Sequence, residues 1–219
     1  MAPFVLVCAE QACTGQVAPS FRPKTGIKGQ EDAGFDASYS YKGWLNVFFT
    51  ELETDRLFLR NICSCDREFI YSEFTDDFIN KYLFDAEPMK SINEADELIE
   101  FYTVQEPSNR HRWVIELKQN GEKIGTCGYH CWNIKEGKVE IGYELVEKYN
   151  GYGYMNEAII KVVEFARINM RVKEIKACIY YKNEKSKRIV TGNGFEYGGI
   201  EMVKRKGIEY KHEIYRLMI

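Results

Sequence analysis

The stretch Lys148-Tyr149-Asn150-Gly151-Tyr152-Gly153, running at once into Tyr154-Met155-Asn156-Glu157-Ala158, carries the residues best suited to chemistry. Two glycines one residue apart permit a tight turn, because glycine reaches positive φ without the penalty of a Cβ. The segment follows a strand-like run, Val139–Val146, and opens an amphipathic helix. Amides in the first turn of a helix have no intrahelical acceptor, and the helix dipole is positive there. A glycine turn feeding such a helix is therefore a ready seat for a phosphate or pyrophosphate. Taken alone, the pattern also suits a turn that only joins a strand to a helix. Just ahead of it, Glu140 and Glu144 fall on one face of the strand, two residues either side of Gly142. Tyr143 alternates to the other face, as a core side chain would.

A folded domain must hold these groups. The chain has 219 residues, 45% of them apolar and 14% aromatic, which is ample for a packed core. A net charge of -3 lacks the basic excess of a general nucleic-acid binder. No apolar run approaches the ~20 residues that span a bilayer, so no membrane association is expected. The opening Met1–Ala9 has no basic residue ahead of its short apolar patch and reads poorly as a secretory leader. Cys8, Cys13, Cys63, Cys65, Cys127, Cys131 and Cys178 make an odd, scattered set. Reduced thiols in a cytoplasmic protein are the expectation. Cys127, His130 and Cys131 crowd one segment, but alternation places the two cysteines on one face and the histidine on the other. Cys63-x-Cys65 is the other close pair, at a spacing that suits few structural zinc sites, so no metal is expected.

Composition changes near residue 46. Residues 1–46 show no sustained periodicity and read as an extension of uncertain order; 47–219 read as one compact α/β domain. Arg56–Ile62 alternates as a strand. Asp66 is a plausible N-cap for a helix through Phe69, Ile70 and Phe74, and Ser91-Ile92-Asn93-Glu94 is a capping-box pattern ahead of a second helix. Trp113–Leu117 and Lys123–Tyr129 read as a hairpin turning at Asn120-Gly121, with a further turn at Glu136-Gly137. Past the glycines, Met155, Ile159, Val162, Val163 and Ala166 form one helical stripe. Glu174–Tyr180 is a strand, a short helix starts at Asn183, and strands Phe195–Val203 and Tyr210–Leu217 close the chain. The expected fold is a mixed, mostly antiparallel sheet of about seven strands flanked by helices, an α/β (α+β) arrangement.

Four segments in this order resemble the GNAT superfamily of N-acetyltransferases, specifically the branch that acetylates N-terminal alanine or serine of ribosomal proteins. They are Thr54–Arg60, Ile141–Leu145, Lys148–Gly153 with Asn156-Glu157-Ala158, and Asn183-x-x-Ser186-x-Arg188 followed by Gly194-Phe195. Together they span about residues 52–219. Lys148 departs from the family's preferred arginine or glutamine. The resemblance has that loop working through backbone amides, which lysine leaves intact. Many relatives carry a tyrosine where this chain has Val190, while this branch offers a serine, matched by Ser186.

The resemblance implies acetyl-CoA as acyl donor, an amine as acceptor, and fourth and fifth strands splayed around the cofactor. It places the pyrophosphate on Lys148, Tyr149, Asn150, Gly151, Tyr152, Gly153 and Tyr154, and the pantetheine arm along Tyr143, Glu144 and Leu145. The Leu145 amide becomes the oxyanion donor, Asn183 a cofactor contact and Ser186 the acid for the leaving thiolate. Glu140 or Glu144 then serves to deprotonate the amine, directly or through water; the alternative is that both form cross-strand pairs. Acceptor groups are expected from about 66–110 and the terminal hairpin. The first of these is rich in aromatics (Phe69, Tyr71, Phe74, Phe78, Tyr82, Phe84, Phe101, Tyr102), with Asp76, Asp77 and Asp85 among them. Direct attack in a ternary complex is expected, with the protein a monomer or homodimer. The competing reading is a non-catalytic acyl-CoA-binding sensor or docking module.

Overall fold

A computed structural model describes residues 49–83, 87–103, 109–205 and 207–219. The extension assigned to 1–46 lies outside these residues, as do Phe84 and Asp85. Two short strands open the described chain, β1 (Leu52–Glu53) and β2 (Leu57–Asn61). Helices α1 (Arg67–Thr75), α2 (Asp77–Asn80) and α3 (Asn93–Thr103) follow, then strands β3 (His111–Leu117), β4 (Lys123–Asn133) and β5 (Lys138–Leu145). Next come α4 (Tyr154–Asn169), β6 (Glu174–Tyr180), α5 (Glu184–Gly192), β7 (Glu196–Arg205) and β8 (Ile208–Met218). The eight strands form a single sheet in the order β1-β2-β3-β4-β5-β6-β8-β7. Every neighbouring pair is antiparallel except β5 and β6. The sheet thus has the expected mixed character, with two-residue β1 as a strand too short to leave a periodic signal.

Helices cover both faces. On one, Met155, Ala158, Ile159, Val162, Phe165 and Ala166 of α4 pack on Leu57, Leu59, Trp113, Ile115 and Tyr129. Val163, expected on this stripe, is only partly buried at its margin. On the other, α1 and α3 bury Ile70, Phe74, Leu98, Ile99 and Tyr102 against Val114. Asp66 precedes α1 as expected, yet its carboxylate does not cap that helix. It accepts instead from the Cys63 amide and the Arg60 guanidinium, so it fastens β2 to the turn before α1. Glu94 accepts from the Lys90 amide rather than from Ser91, shifting the expected capping box by one residue.

Two cysteine expectations are corrected. Cys63 and Cys65 are joined as a disulfide, with Cα atoms 5.3 Å apart, inside the span a bridge requires. In β4, Cys131 takes a positive φ of 51° where the β4–β5 register shifts. The alternation that would put Cys127 and Cys131 on one face stops at that bulge.

Sheet geometry then creates the site. Strands β5 and β6 are in register only over Lys138–Glu140 and Glu174–Lys176. Beyond Glu140, β5 stays with β4 as far as Leu145, while β6 stays with β8 as far as Tyr180. The two parallel strands therefore part, as expected, and leave a V between them. The Val146 amide donates to the Ile124 carbonyl at 2.9 Å, toward β4. Backbone alternation turns the Tyr143 and Leu145 peptide groups the opposite way, into the gap.

Candidate active site

The glycine turn sits at the mouth of the V. Glu147–Tyr149 form a one-turn 3-10 helix, and Gly151 and Gly153 adopt φ of 87° and 80°. These left-handed values explain the requirement for glycine. The amides of Tyr154, Met155 and Asn156 begin α4 with no acceptor inside the helix. The Lys148 ammonium is engaged with Glu122 at 2.6 Å, on an exposed surface. Tyr152 stacks on Tyr154, which meets Tyr149 edge-on.

A contact that no sequence pattern announced holds this turn in place. Glu157, in the first turn of α4, accepts from Thr54 Oγ1, from the Arg56 amide at 3.0 Å and from Arg56 Nε at 2.6 Å. The Arg56 guanidinium also donates to the Tyr152 carbonyl at 3.0 Å and lies over the Tyr154 ring. Partial burial raises the Glu157 carboxyl, but the bonds from Thr54 and Arg56 outweigh it and hold the carboxyl below its ordinary range. Two segments far apart in sequence, Thr54–Arg60 and Asn156–Ala158, are thus one clamp on the loop.

Inside the V are two adjoining cavities, about 140 and 120 Å³. Tyr143, Glu144, Asn183 and Ser186 line both, so they stand where the two meet. Leu145, Asn150 and Met155 line the smaller one, toward the glycine turn. Glu140 lines the larger, toward the terminal hairpin. Asn183 caps α5, accepting from the Ser186 amide at 3.1 Å. The Ser186 hydroxyl lies 2.6 Å from the Tyr143 phenol. Val190 is fully buried in the core. Tyr143, expected as a core residue, is partly buried against that core and carries its phenol into the site. Burial keeps the phenol protonated well above its usual range.

Glu140 and Glu144 do share a face, and both are paired there. Glu144 meets Arg112 at 2.5 Å and Thr126 at 2.9 Å. Burial opposes the Arg112 charge, but Glu144 and the surrounding groups hold the guanidinium above its ordinary value. Neighbouring Glu73 is fully buried, and burial with the Glu144 charge pushes its carboxyl far up. Glu140 meets Lys176 at 3.2 Å and His130 at 3.6 Å, and Lys176 continues to Glu201 at 3.0 Å. Arg112, Lys176 and Glu201 were not singled out from the sequence, and His130 was weighed there only as a metal ligand beside Cys127 and Cys131. The pairing of His130 with Glu140 could not be counted from the turn at Glu136-Gly137, because the register shifts between His130 and Asn133.

Of the aromatics between 66 and 110, Phe74 and Tyr102 are core, while Phe78 and Tyr82 reach the cavities. Asp76 caps α2, accepting from the Ile79 amide. Among the described residues, the side chains close enough to share a metal ion are Cys63, Cys65 and Asp66. Their two sulfurs are bonded to each other, and Asp66 is paired with Arg60 and Lys123. Burial pushes the Cys127 thiol up to about 12, whereas Cys178 lines the larger cavity. Among the described residues, no helix is long and apolar enough to cross a membrane.

Comparison with known proteins places this geometry in context. The family model for the acetyltransferase (GNAT) domain matches residues 56–196. The uncharacterised N-acetyltransferase YoaA of Bacillus subtilis (strain 168) is 33% identical over 173 residues, covering 78% of this chain and 97% of the relative. The uncharacterised N-acetyltransferase p20 of Bacillus licheniformis is 26% identical over 159 residues, 71% of this chain and 89% of its own. Among solved structures, RimL, a ribosomal alpha-N-protein acetyltransferase in complex with coenzyme A, superposes with a TM-score of 0.69 at 15% identity, over 76% of this chain and 96% of its own. Spermidine N-acetyltransferase from Vibrio cholerae, in complex with CoA and spermine, gives 0.66 at 20% identity, over 75% and 96%.

Proposed function

The chain belongs to the GNAT acetyltransferase family and is an acyl-CoA-dependent N-acetyltransferase; from that premise we propose that it acetylates a primary amine, a protein N-terminus or a small amine, by direct attack on acetyl-CoA bound in the β5–β6 gap. The observation that carries this reading is the meeting of two cavities at Tyr143, Glu144, Asn183 and Ser186. The smaller leads to the glycine turn and takes the donor; the larger takes the acceptor. Amides of Gly151–Asn156 hold the pyrophosphate, and the unpaired edge of β5 receives the pantetheine as an added strand. The Leu145 amide faces the thioester oxygen, where a donor of this kind is worth ~2.7–4 kcal/mol of barrier.

The acceptor nitrogen, once neutral, attacks the acetyl carbon; the C–N bond forms, the C–S bond breaks and the thiolate takes a proton from Ser186. A hydroxyl is a poor acid, yet a thiolate whose conjugate acid has a pKa near ~8.5 needs little help. Names among the structural neighbours span both acceptor classes, a ribosomal protein and a polyamine. The test is thiol release from acetyl-CoA across N-terminal peptides, polyamines, aminoglycosides and amino acids. Release that depends on one of these amines is expected, and its absence with all of them would remove the reading.

A further inference from the structure

Neither carboxylate on the catalytic face is disposed as a free base. Glu144 is held by Arg112 and Thr126, and Glu140 by Lys176. Glu140 and Lys176 are also the last registered pair of β5 and β6, so they sit at the vertex of the V. Through that vertex runs a row of alternating charge drawn from β7, β6, β5 and β4: Glu201, Lys176, Glu140, His130. It ends on an imidazole.

The His130 ring has two distinct edges. Its Nε2 stands 3.6 Å from Glu140 Oε2. A carboxylate there favours the tautomer protonated at Nε2 and leaves the lone pair on Nδ1. The opposite edge overlies Gly142. A methyl group placed on Gly142 would stand 3.3 Å from His130 Cε1 and 3.6 Å from Nδ1. Both residues line the larger cavity. The missing side chain at 142 therefore opens a space beside the imidazole edge that can accept a proton.

We propose that His130, oriented by Glu140, is the general base that takes the proton from the ammonium acceptor in the space above Gly142. This rests on the acetyl-transfer reading above and names the base of that same site. One proton passes from R–NH3+ to Nδ1, and the freed lone pair attacks the thioester carbon. After the C–S bond breaks, the second proton leaves the new amide nitrogen and replaces the one Ser186 gives to the thiolate. His130 returns its proton to solvent, so the sum is amide, CoA thiol and one H+.

Charged groups around His130 set its titration. Burial lowers it, Glu140 and Cys131 raise it, and Arg112 lowers it; the outcome is a raised value. Lys176 and Glu201 act through Glu140, and His212 faces the same cavity from β8. A raised histidine is charged in slightly acidic solution and becomes a competent base as pH rises through its folded value.

The experiment is the pH dependence of kcat/KM for the amine identified by thiol release, in the full chain. His130→Gln should lower the rate at neutral pH by roughly 100-fold or more and remove the ascending limb, with acetyl-CoA binding unchanged in calorimetry. Glu140→Gln should move that limb to lower pH. Wild-type rate and an unmoved limb in His130→Gln would overturn the proposal. Nitrogen NMR of labelled histidine in the wild-type chain decides the matter if that variant does not fold. A ring protonated at Nε2, titrating above the ordinary histidine value, supports the assignment; an Nδ1–H tautomer or a lowered value rejects it. Wild-type protein releasing no thiol with any amine would instead overturn the acetyl-transfer reading, and the NMR result would still decide the tautomer.

Discussion

Ser186 and Tyr143 show how a site can be assembled from residues of weak individual signal. The hydroxyl and phenol stand 2.6 Å apart, and burial holds the phenol protonated above its usual range. In the proposed reaction the phenol fixes the serine, and the serine gives the proton. Ser186→Ala should therefore reduce turnover by about 10²-fold, the lower end of general acid catalysis, while calorimetry finds acetyl-CoA binding intact. Cys178 offers a direct check on the route of the acetyl group. Cys178→Ala should keep thiol release near the wild-type rate, because the proposed direct attack uses no acyl-enzyme; loss of release with binding retained would point to that thiol. Ser186 and Asn183 were singled out through the family resemblance, and both line the place where the two cavities meet. His130 was passed over because it was weighed only as a metal ligand. Its partner Glu140 lies ten residues away, and only the strand register brings the two together.

Among elements, the decisive one is the junction of β5, the glycine turn and α4. Asp at 151 and 153 would have to adopt left-handed backbone, at ~1–2 kcal/mol each, and would set carboxylates beside the pyrophosphate. Calorimetry on Gly151→Asp with Gly153→Asp should find no acetyl-CoA binding; binding that survived would dissociate the loop from the donor. The clamp makes a subtler prediction. Glu157→Ala leaves both glycines in place but releases Thr54 and Arg56 from α4, so the Arg56 bond to the Tyr152 carbonyl loses its anchor. Acetyl-CoA should then bind about tenfold more weakly, a change of ~1.4 kcal/mol, with the fold unaltered. Most of these elements were readable from punctuation, since Asn120-Gly121, Glu136-Gly137 and Gly192-Asn193-Gly194 each end a periodic run. The two-residue β1 and one-turn α2 were not, because neither is long enough to repeat. The β4 bulge at Cys131 was hidden too, since it breaks the alternation by which strand faces are read.

At the scale of the whole molecule, the fold buries a polar layer between α1–α3 and the sheet (Glu73, Arg112, Thr126, Glu144) and a histidine on the α4 face, and these set its response to pH. His111 is buried, bonded to Asn61 at 3.0 Å and stacked on Phe49. Burial depresses it from 6.5 to about 3. The unfolded chain therefore binds the extra proton first, and stability falls as pH drops from 6.5 toward 3, by up to ~1.4 kcal/mol per unit from this residue. Glu73 has the opposite sign. Its folded value is raised, so its contribution is present in acid and lost as pH rises through that value. Thermal unfolding followed across pH should show the acid slope reduced in His111→Gln and the alkaline fall reduced in Glu73→Gln. Unchanged slopes would mean that other groups dominate. The mixed sheet and its flanking helices followed from the sequence of elements, whereas the β6-β8-β7 order and this buried polar layer did not. The layer is built from single residues on separate elements, none conspicuous in its own segment.

The most direct measurement is a crystal structure of the full chain with coenzyme A bound. The pyrophosphate should lie on the amides of Gly151–Asn156 and the pantetheine should run beside Tyr143 and Leu145. The sulfur should end within hydrogen-bonding reach of Ser186, facing the cavity that holds His130. Coenzyme A seated elsewhere, or a sulfur directed away from Ser186 and that cavity, would contradict the account.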